Sequence, residues 1–222
     1  DSPAPTSLTP QSFCQINNPT LANIFISGTN IRWYTSPTGG TALPSSTPLT
    51  STTYYASQTS VGGCESSTRA AVVVIVNDPP APTGSATQNF CVADNPTVAS
   101  LTATGLSIRW YLFATGGTAL SSSTPVSTGT YYASQTVGSC ESALRLAVSV
   151  TVANPDAPTG TSPQIFCLIN APTVANLVAT GTGIKWYLTA NGGTPLTSTT
   201  SLTTRTYYAS QTPGSCESST RL

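Results

Sequence analysis

Near the middle of the chain, side chains alternate with a period of two. Leu146, Val148, Val150 and Val152 fall on one parity, and Arg145, Ala147, Ser149 and Thr151 on the other. Such a period turns one set inward and the other toward solvent, which predicts a half-buried strand over Leu144–Val152. Upstream, Val98, Leu101 and Ala103 suggest a strand that stops at Gly105, and Ile108-Arg109-Trp110-Tyr111-Leu112 a second, closed by the Gly116-Gly117 turn. A short strand near Thr118–Leu120 and another over Thr130–Thr136 follow. No stretch keeps a helical period, so the pattern predicts an all-β module of about seven short strands. The longest apolar run, Ala70–Val76, is far below the ~20 residues that cross a bilayer, and no membrane span is expected.

The same pattern occurs three times. Phe13-Cys14, Phe90-Cys91 and Phe166-Cys167 recur, as do Ile31-Arg32-Trp33-Tyr34, Ile108-Arg109-Trp110-Tyr111 and Ile184-Lys185-Trp186-Tyr187. The blocks Tyr-Tyr-Ala-Ser-Gln-Thr from Tyr54, Tyr131 and Tyr207 repeat too, as does Cys-Glu-Ser at Cys64, Cys140 and Cys216. Aligned without gaps, Cys91–Leu146 and Cys167–Leu222 agree at 35 of 56 positions, which marks tandem duplication of one module. Each copy opens on a Pro-rich joint (Asp1–Pro5, Asp78–Pro82, Pro155–Pro158) that stops a strand from running on. The expected organisation is therefore 1–77, 78–154 and 155–222, with most of the last strand of repeat 3 missing beyond Leu222. A cut through a longer repetitive protein would explain that, and so would a strand supplied by another chain.

A tryptophan on a central strand, followed about twenty residues later by Thr-Tyr-Tyr, resembles an immunoglobulin sandwich. The resemblance makes Trp110 the core tryptophan of its domain and puts Tyr54, Tyr131 and Tyr207 at the tyrosine corner. Two residues on, where antibody domains place a cysteine, stand Ala56, Ala133 and Ala209. Taken together, Phe-Cys, Pro-Thr-Val-Ala-Asn, Trp-Tyr, Gly-Gly-Thr, Tyr-Tyr-Ala-Ser-Gln-Thr and Cys-Glu-Ser resemble the Ig-like repeats of giant cell-surface adhesins of Bacteroidota, of the gliding-adhesin type. That resemblance implies three tandem Ig-like β-sandwich domains arranged as an elongated stalk, in a secreted protein at the cell surface. It implies neighbouring repeats of a longer chain as partners.

The six cysteines come two per repeat. Metal binding is the rival of disulfides, but two cysteines in a chain without histidine cannot complete a four-ligand zinc site. The repeat suggests pairing within each module, Cys14–Cys64, Cys91–Cys140 and Cys167–Cys216, each closing a loop worth roughly 4 kcal/mol on the chain-entropy model. Disulfides place the chain outside a reducing cytosol.

Composition narrows the chemistry further. Among 222 residues only 6% are charged, seven basic against seven acidic, and Ser and Thr number 70. This offers no basic face to nucleic acid. Without histidine there is no imidazole base, and Lys185 is the only lysine, so a Ser-His-Asp triad is impossible and a Ser-Lys site cannot recur in each repeat. The carboxylates Asp1, Glu65, Asp78, Asp94, Glu141, Asp156 and Glu217 are expected to be solvated or to cap turns, and one Asp per joint is too few for calcium. No enzyme, metal or cofactor is expected.

One constellation recurs with chemistry in it. If Trp33 points inward, Arg32 and Tyr34 point outward, with Tyr55 and Arg69 beside them. Repeat 2 offers Arg109, Tyr111, Tyr132 and Arg145; repeat 3 offers Lys185, Tyr187, Tyr208 and Arg221. Two readings of this exposed patch stand side by side: a cation–π and cross-strand ladder that stabilises one sheet, or a platform for a sugar or for lateral filament contact. The sequence thus points to a structural stalk segment of a secreted bacterial adhesin or filament. A carbohydrate- or surface-binding module array is its alternative.

Overall fold

The alternating segments become the long central strands. Numbered along the chain, repeat 1 supplies β1 (Gln11–Cys14), β2 (Arg32–Tyr34), β3 (Thr52–Ser57) and β4 (Ala70–Asn77). Repeat 2 supplies β5 (Thr87–Cys91), β6 (Arg109–Tyr111), β7 (Gly129–Ser134), β8 (Thr136–Val137), β9 (Cys140–Glu141) and β10 (Leu146–Ala153). Repeat 3 supplies β11 (Lys185–Tyr187) and β12 (Tyr208–Ser210). The computed structural model describes residues 2–222; the joint residue Asp1 lies outside them. Among the described residues the helices are single 3-10 turns.

Repeat 1 forms a four-stranded sheet in the order β1-β4-β3-β2, and repeat 2 repeats it as β5-β10-β7-β6. β2, β3 and β4 are antiparallel neighbours, whereas β1 runs parallel to β4 with Cys14 level with Asn77. β5 pairs with β10 in the same way, Cys91 level with Ala153. Outside these sheets, single bridges recur at Thr6↔Ser27 and Thr20↔Pro48 and at their copies. The segments they hold bring Leu21, Ile24 and Leu49 onto Trp33, Tyr54, Ala56, Val72 and Val74, closing the repeat 1 core. In repeat 3 Val174, Trp186 and Ala209 form the corresponding centre. Each tryptophan lies opposite an alanine in the ladder (Trp33↔Ala56, Trp110↔Ala133, Trp186↔Ala209), all three alanines fully buried. The tyrosine corner is present: the hydroxyls of Tyr54, Tyr131 and Tyr207 accept from the backbone N–H of Thr50, Ser127 and Thr203, each four residues upstream.

Two expected strands are absent. Val98–Ser100 is a 3-10 turn, because Thr97 and Ser100 close a reciprocal capping box that ties the backbone into a turn. Thr20 with Asn23 and Thr173 with Asn176 do the same in the other repeats. Thr118–Leu120 is not strand; its counterpart in repeat 1 makes a single bridge, Trp33↔Leu43.

The disulfides differ from the expectation of one within each domain. Cys14 is bonded to Cys140 and Cys91 to Cys216, so each bridge joins the first cysteine of one repeat to the second cysteine of the next. Cys64 and Cys167 are free and exposed. Strand direction explains why Cys14–Cys64 and Cys91–Cys140 do not form, and Cys167–Cys216 does not form because Cys216 is bonded to Cys91. The parallel pairing of β1 carries Cys14 to the trailing end of β4, whereas Cys64 sits in the hairpin between β3 and β4, at the leading end. About seven strand steps separate those ends, roughly 23 Å, and a disulfide tolerates no more than about 7 Å between Cα atoms. Across the joint, the trailing end of one repeat meets the leading hairpin of the next, and the bridged Cα atoms are 5.2 and 5.3 Å apart.

The described chain divides into two compact units, residues 2–84 with Ala103–Gly117 and Tyr132–Leu146, and Ser85–Thr102 with Thr118–Tyr131 and Ala147–Leu222. Each unit contains one disulfide. In the second unit, Leu222 pairs with Ala209 where β4 and β10 begin in the other repeats. Beyond it lies an open groove of about 730 Å³ lined by Gln164, Phe166, Trp186, Leu202 and Tyr207. Residues 164–167, the counterpart of β1, have no parallel partner and are not strand.

Candidate functional site

Arg32, Trp33 and Tyr34 follow one another on β2, so Trp33 and Tyr34 emerge on opposite faces. Both are nevertheless buried, at 5% exposure each. The ring of Tyr34 is roofed by Arg69, whose guanidinium carbon stands 3.3 Å from the ring centroid. That guanidinium is itself fixed by donating to the carbonyls of Ser36 and Gly39 at 2.8 and 2.7 Å, across the Gly39-Gly40 turn. Arg145 over Tyr111 and Arg221 over Tyr187 repeat the arrangement at 3.5 and 3.4 Å, with the same pair of loop carbonyls.

Beneath each roof sits the glutamate of Cys-Glu-Ser. Glu65 accepts from the Tyr34 hydroxyl at 2.7 Å, from the Ser57 hydroxyl at 2.6 Å and from Arg32 at 3.1 Å. Glu141 accepts from Tyr111, Ser134 and Arg109. Glu217 accepts from Tyr187, Ser210 and Lys185, the last at 2.7 Å. Ser57, Ser134 and Ser210 are fully buried.

These bonds set the ionisation of the cluster. Hydrogen bonds from Ser57 and Tyr34, with the Arg32 charge, hold Glu65 below the usual carboxylate range against the upward push of burial. Burial pushes Glu141 up, but Ser134, Tyr111 and Arg109 outweigh it and lower its pKa. Burial likewise opposes ionisation of Glu217, and Lys185, Ser210 and Tyr187 bring it down to about 2. The bond to Glu217 raises Lys185, while burial and then the glutamate bonds raise Tyr111 and Tyr187.

The expected patch is therefore assembled, but not as an exposed one. Arg32, Arg109 and Lys185 keep their side chains largely in solvent, at 56%, 56% and 42% exposure. Tyr34, Tyr111 and Tyr187 are buried, with one ring face taken by arginine. Tyr55, Tyr132 and Tyr208 lie across the ladder from them, half-buried. Parity alone turned the tyrosines outward; the arginine and its turn, supplied from elsewhere in the repeat, cover them. The glutamates, expected in solvent or at caps, are the centres of the cluster.

A second recurrent side chain carries no periodic signal. The Nε2 of Gln58, Gln135 and Gln211 donates to the carbonyl of Pro3, Pro80 and Asp156, in each case at 2.8 Å. The same amide accepts from the backbone of Thr29, Leu106 and Thr182. It thereby ties the Pro-rich joint to the module that follows. Gly105 leaves it room: a Cβ there would lie 2.7 Å from Gln135 Oε1. The joint is held again where Asp78 Oδ1 accepts from Ala143 N and Asn154 Oδ1 from Ser219 N, both at 3.2 Å. Among the described residues no three potential metal ligands converge.

Comparison with known proteins agrees with this architecture. No curated protein matches the chain. A protein-family model, described as "Ig-like domain CHU_C associated", matches residues 3–77, 79–153 and 155–222, nearly the whole of it. Tandem Ig-like modules with a core tryptophan, a tyrosine corner and cysteines placed for the joints make the chain a member of that CHU_C-associated Ig-like domain family, in three copies.

Proposed function

We propose that the chain is a load-bearing spacer, a stalk segment of a secreted bacterial cell-surface adhesin or extracellular filament. The observation that carries this reading is the staggered disulfide pair, which couples each repeat covalently to the next. The distinctive side chains are spent on holding: the glutamate cluster locks the hairpin onto its sheet, and the glutamine locks the joint onto its module. Disulfides suit an oxidising compartment outside the cell, and the repeat pattern fits the gliding-adhesin type of Bacteroidota surface protein. Partners in this reading are neighbouring repeats, with assembly into filaments as an extension of the same role. Sugar stacking on Tyr34, Tyr111 and Tyr187 has no open ring to use, because the guanidinium groups lie on them.

Single-molecule pulling tests the role. With both bridges closed, the shortest covalent route from Cys14 to Cys216 crosses to Cys140, returns along the backbone to Cys91 and crosses again. Only roughly 49 residue steps can then extend, about 170 Å, against roughly 202 steps and about 700 Å in the reduced chain. A contour gain on reduction near the difference supports the spacer; equal extension with and without reductant overturns it.

A further inference from the structure

Each bridge has two dissimilar halves. One is the Phe-Cys strand end with the 3-10 turn after it, as at Cys14 and Gln15–Asn17; the other is the hairpin ending in Cys-Glu-Ser, as at Cys140. The halves pack on each other: β9, which holds Cys140, lies against both β1 and the Gln15–Asn17 turn. Where they meet, side chains are covered in part: Val92, the counterpart of Leu168 in the second bridge, keeps 36% exposure. Cys140 and Cys216 are buried at 4% and 8%, and Ile16 is half-buried.

One half of each kind remains bare. Cys64 is exposed, and beside it Val61 is wholly exposed, at 101% against 44% for its counterpart Val137. Cys167 is exposed as well, and Leu168 and Ile169 after it are 83% and 93% exposed. Neither thiol is a lone cysteine, since the equivalent residues form this same bond twice in the same structure.

We propose that Cys64 and Cys167 are complementary coupling sites for further Ig-like modules of this kind, and that in the isolated chain Cys167 of one copy bonds Cys64 of a second copy, head to tail. The inference rests on the spacer reading and names its partner. Leu168 and Ile169 supply the apolar knob, and Val61 part of the surface that receives it. No charged side chain lies between Val61 and Cys64 or between Cys167 and Asn170. The bond forms by two exchanges with a small disulfide such as oxidised glutathione. One thiolate attacks it, giving a protein–glutathione mixed disulfide and one glutathione. The second thiolate then attacks the protein sulfur and expels another glutathione, so two thiols lose two electrons and two protons to one glutathione disulfide.

Two variants test the pairing, Cys64→Ser and Cys167→Ser, each retaining one of the free thiols and both internal bridges. They are incubated singly and mixed in a glutathione redox buffer, run on non-reducing gels and mapped by peptide mass. Expected is a disulfide dimer in the mixture at least tenfold above either variant alone, with a Cys64–Cys167 peptide, and its suppression by Ile169→Glu in the Cys64→Ser partner. Dimers formed as readily by either variant alone would overturn the proposal. So would a mixture that stays monomeric with both thiols merely glutathionylated, or a dimer unaffected by Ile169→Glu. The same digest reports Cys14–Cys140 and Cys91–Cys216. Their presence beside a failed cross-link defeats this proposal alone, and their absence removes the spacer reading with it.

Discussion

Glu217 receives three hydrogen bonds, from a tyrosine, a serine and an ammonium group, and needs its negative charge to accept them all. Its folded pKa of about 2 lies below the ordinary value of 4.5. The unfolded chain therefore takes up the proton first as pH falls. The stabilisation is fully present above about pH 4.5 and disappears on the way down to about pH 2. Glu65 and Glu141 are displaced in the same direction, so all three repeats should weaken over an acid window. Urea unfolding followed from pH 7 to pH 2 should show this fall, and Glu217→Gln should remove the contribution of repeat 3 while lowering stability at neutral pH by about 1–3 kcal/mol, since the hydroxyls lose a charged acceptor. Acid stability identical in variant and parent would mean that Glu217 gains nothing from its cluster. In the sequence, the two cations and the tyrosine of this cluster were legible as a group because they recur in register. Their closure over the ring was not. Alternation tells which side of a sheet a residue leaves, but not whether a turn such as Ser36–Gly39 returns to cover it.

At the level of elements, strands whose two faces differ were the readable ones. β10 alternates cleanly and the tyrosine corner depends on a partner four residues away, so both follow from local spacing, whereas β4 is a continuous apolar run whose two faces separate only in burial. β1 and β5 do not alternate; they are strand because β4 and β10, some sixty residues distant, offer a free parallel edge. The cysteine pairing was lost for the same reason, since only that parallel direction shows which end of the module Cys14 occupies. Val98 and Leu101, spaced by three, fit a turn as well as a strand, and the capping box decides. The turns after the first cysteines give an element-scale test. Each ends on a left-handed residue, Asn18 and Asn95 with φ 47°, but Ala171 with φ 42°. Alanine carries a cost of about 1–2 kcal/mol there that asparagine relieves in part and glycine avoids. Ala171→Asn and Ala171→Gly should each raise the stability of repeat 3 by about 1 kcal/mol, and Asn95→Ala should lower that of repeat 2 by a like amount. A denaturation midpoint that moves down in the Ala171 variants would refute the strain.

For the molecule as a whole, the two bridges overlap: Cys91 lies inside the span closed by Cys14–Cys140, and Cys140 inside that closed by Cys91–Cys216. Bridges confined within modules would leave every joint as a single covalent strand. Here each joint is doubled, by the peptide through Asp78–Pro82 and by the sulfur bond beside it. Pro-rich joints are where a protease finds extended backbone. Cutting the peptide once anywhere between Cys14 and Cys216 still leaves a connected route through the remaining segments and the two bridges. Limited digestion at the first joint should therefore give a species that runs at full mass without reductant and divides into two fragments with it. Fragments that separate before reduction would rule out the staggered pairing. A scaffold wired in this way survives a cut as a rope survives a broken yarn: the wound is local, and whatever the chain tethers stays attached.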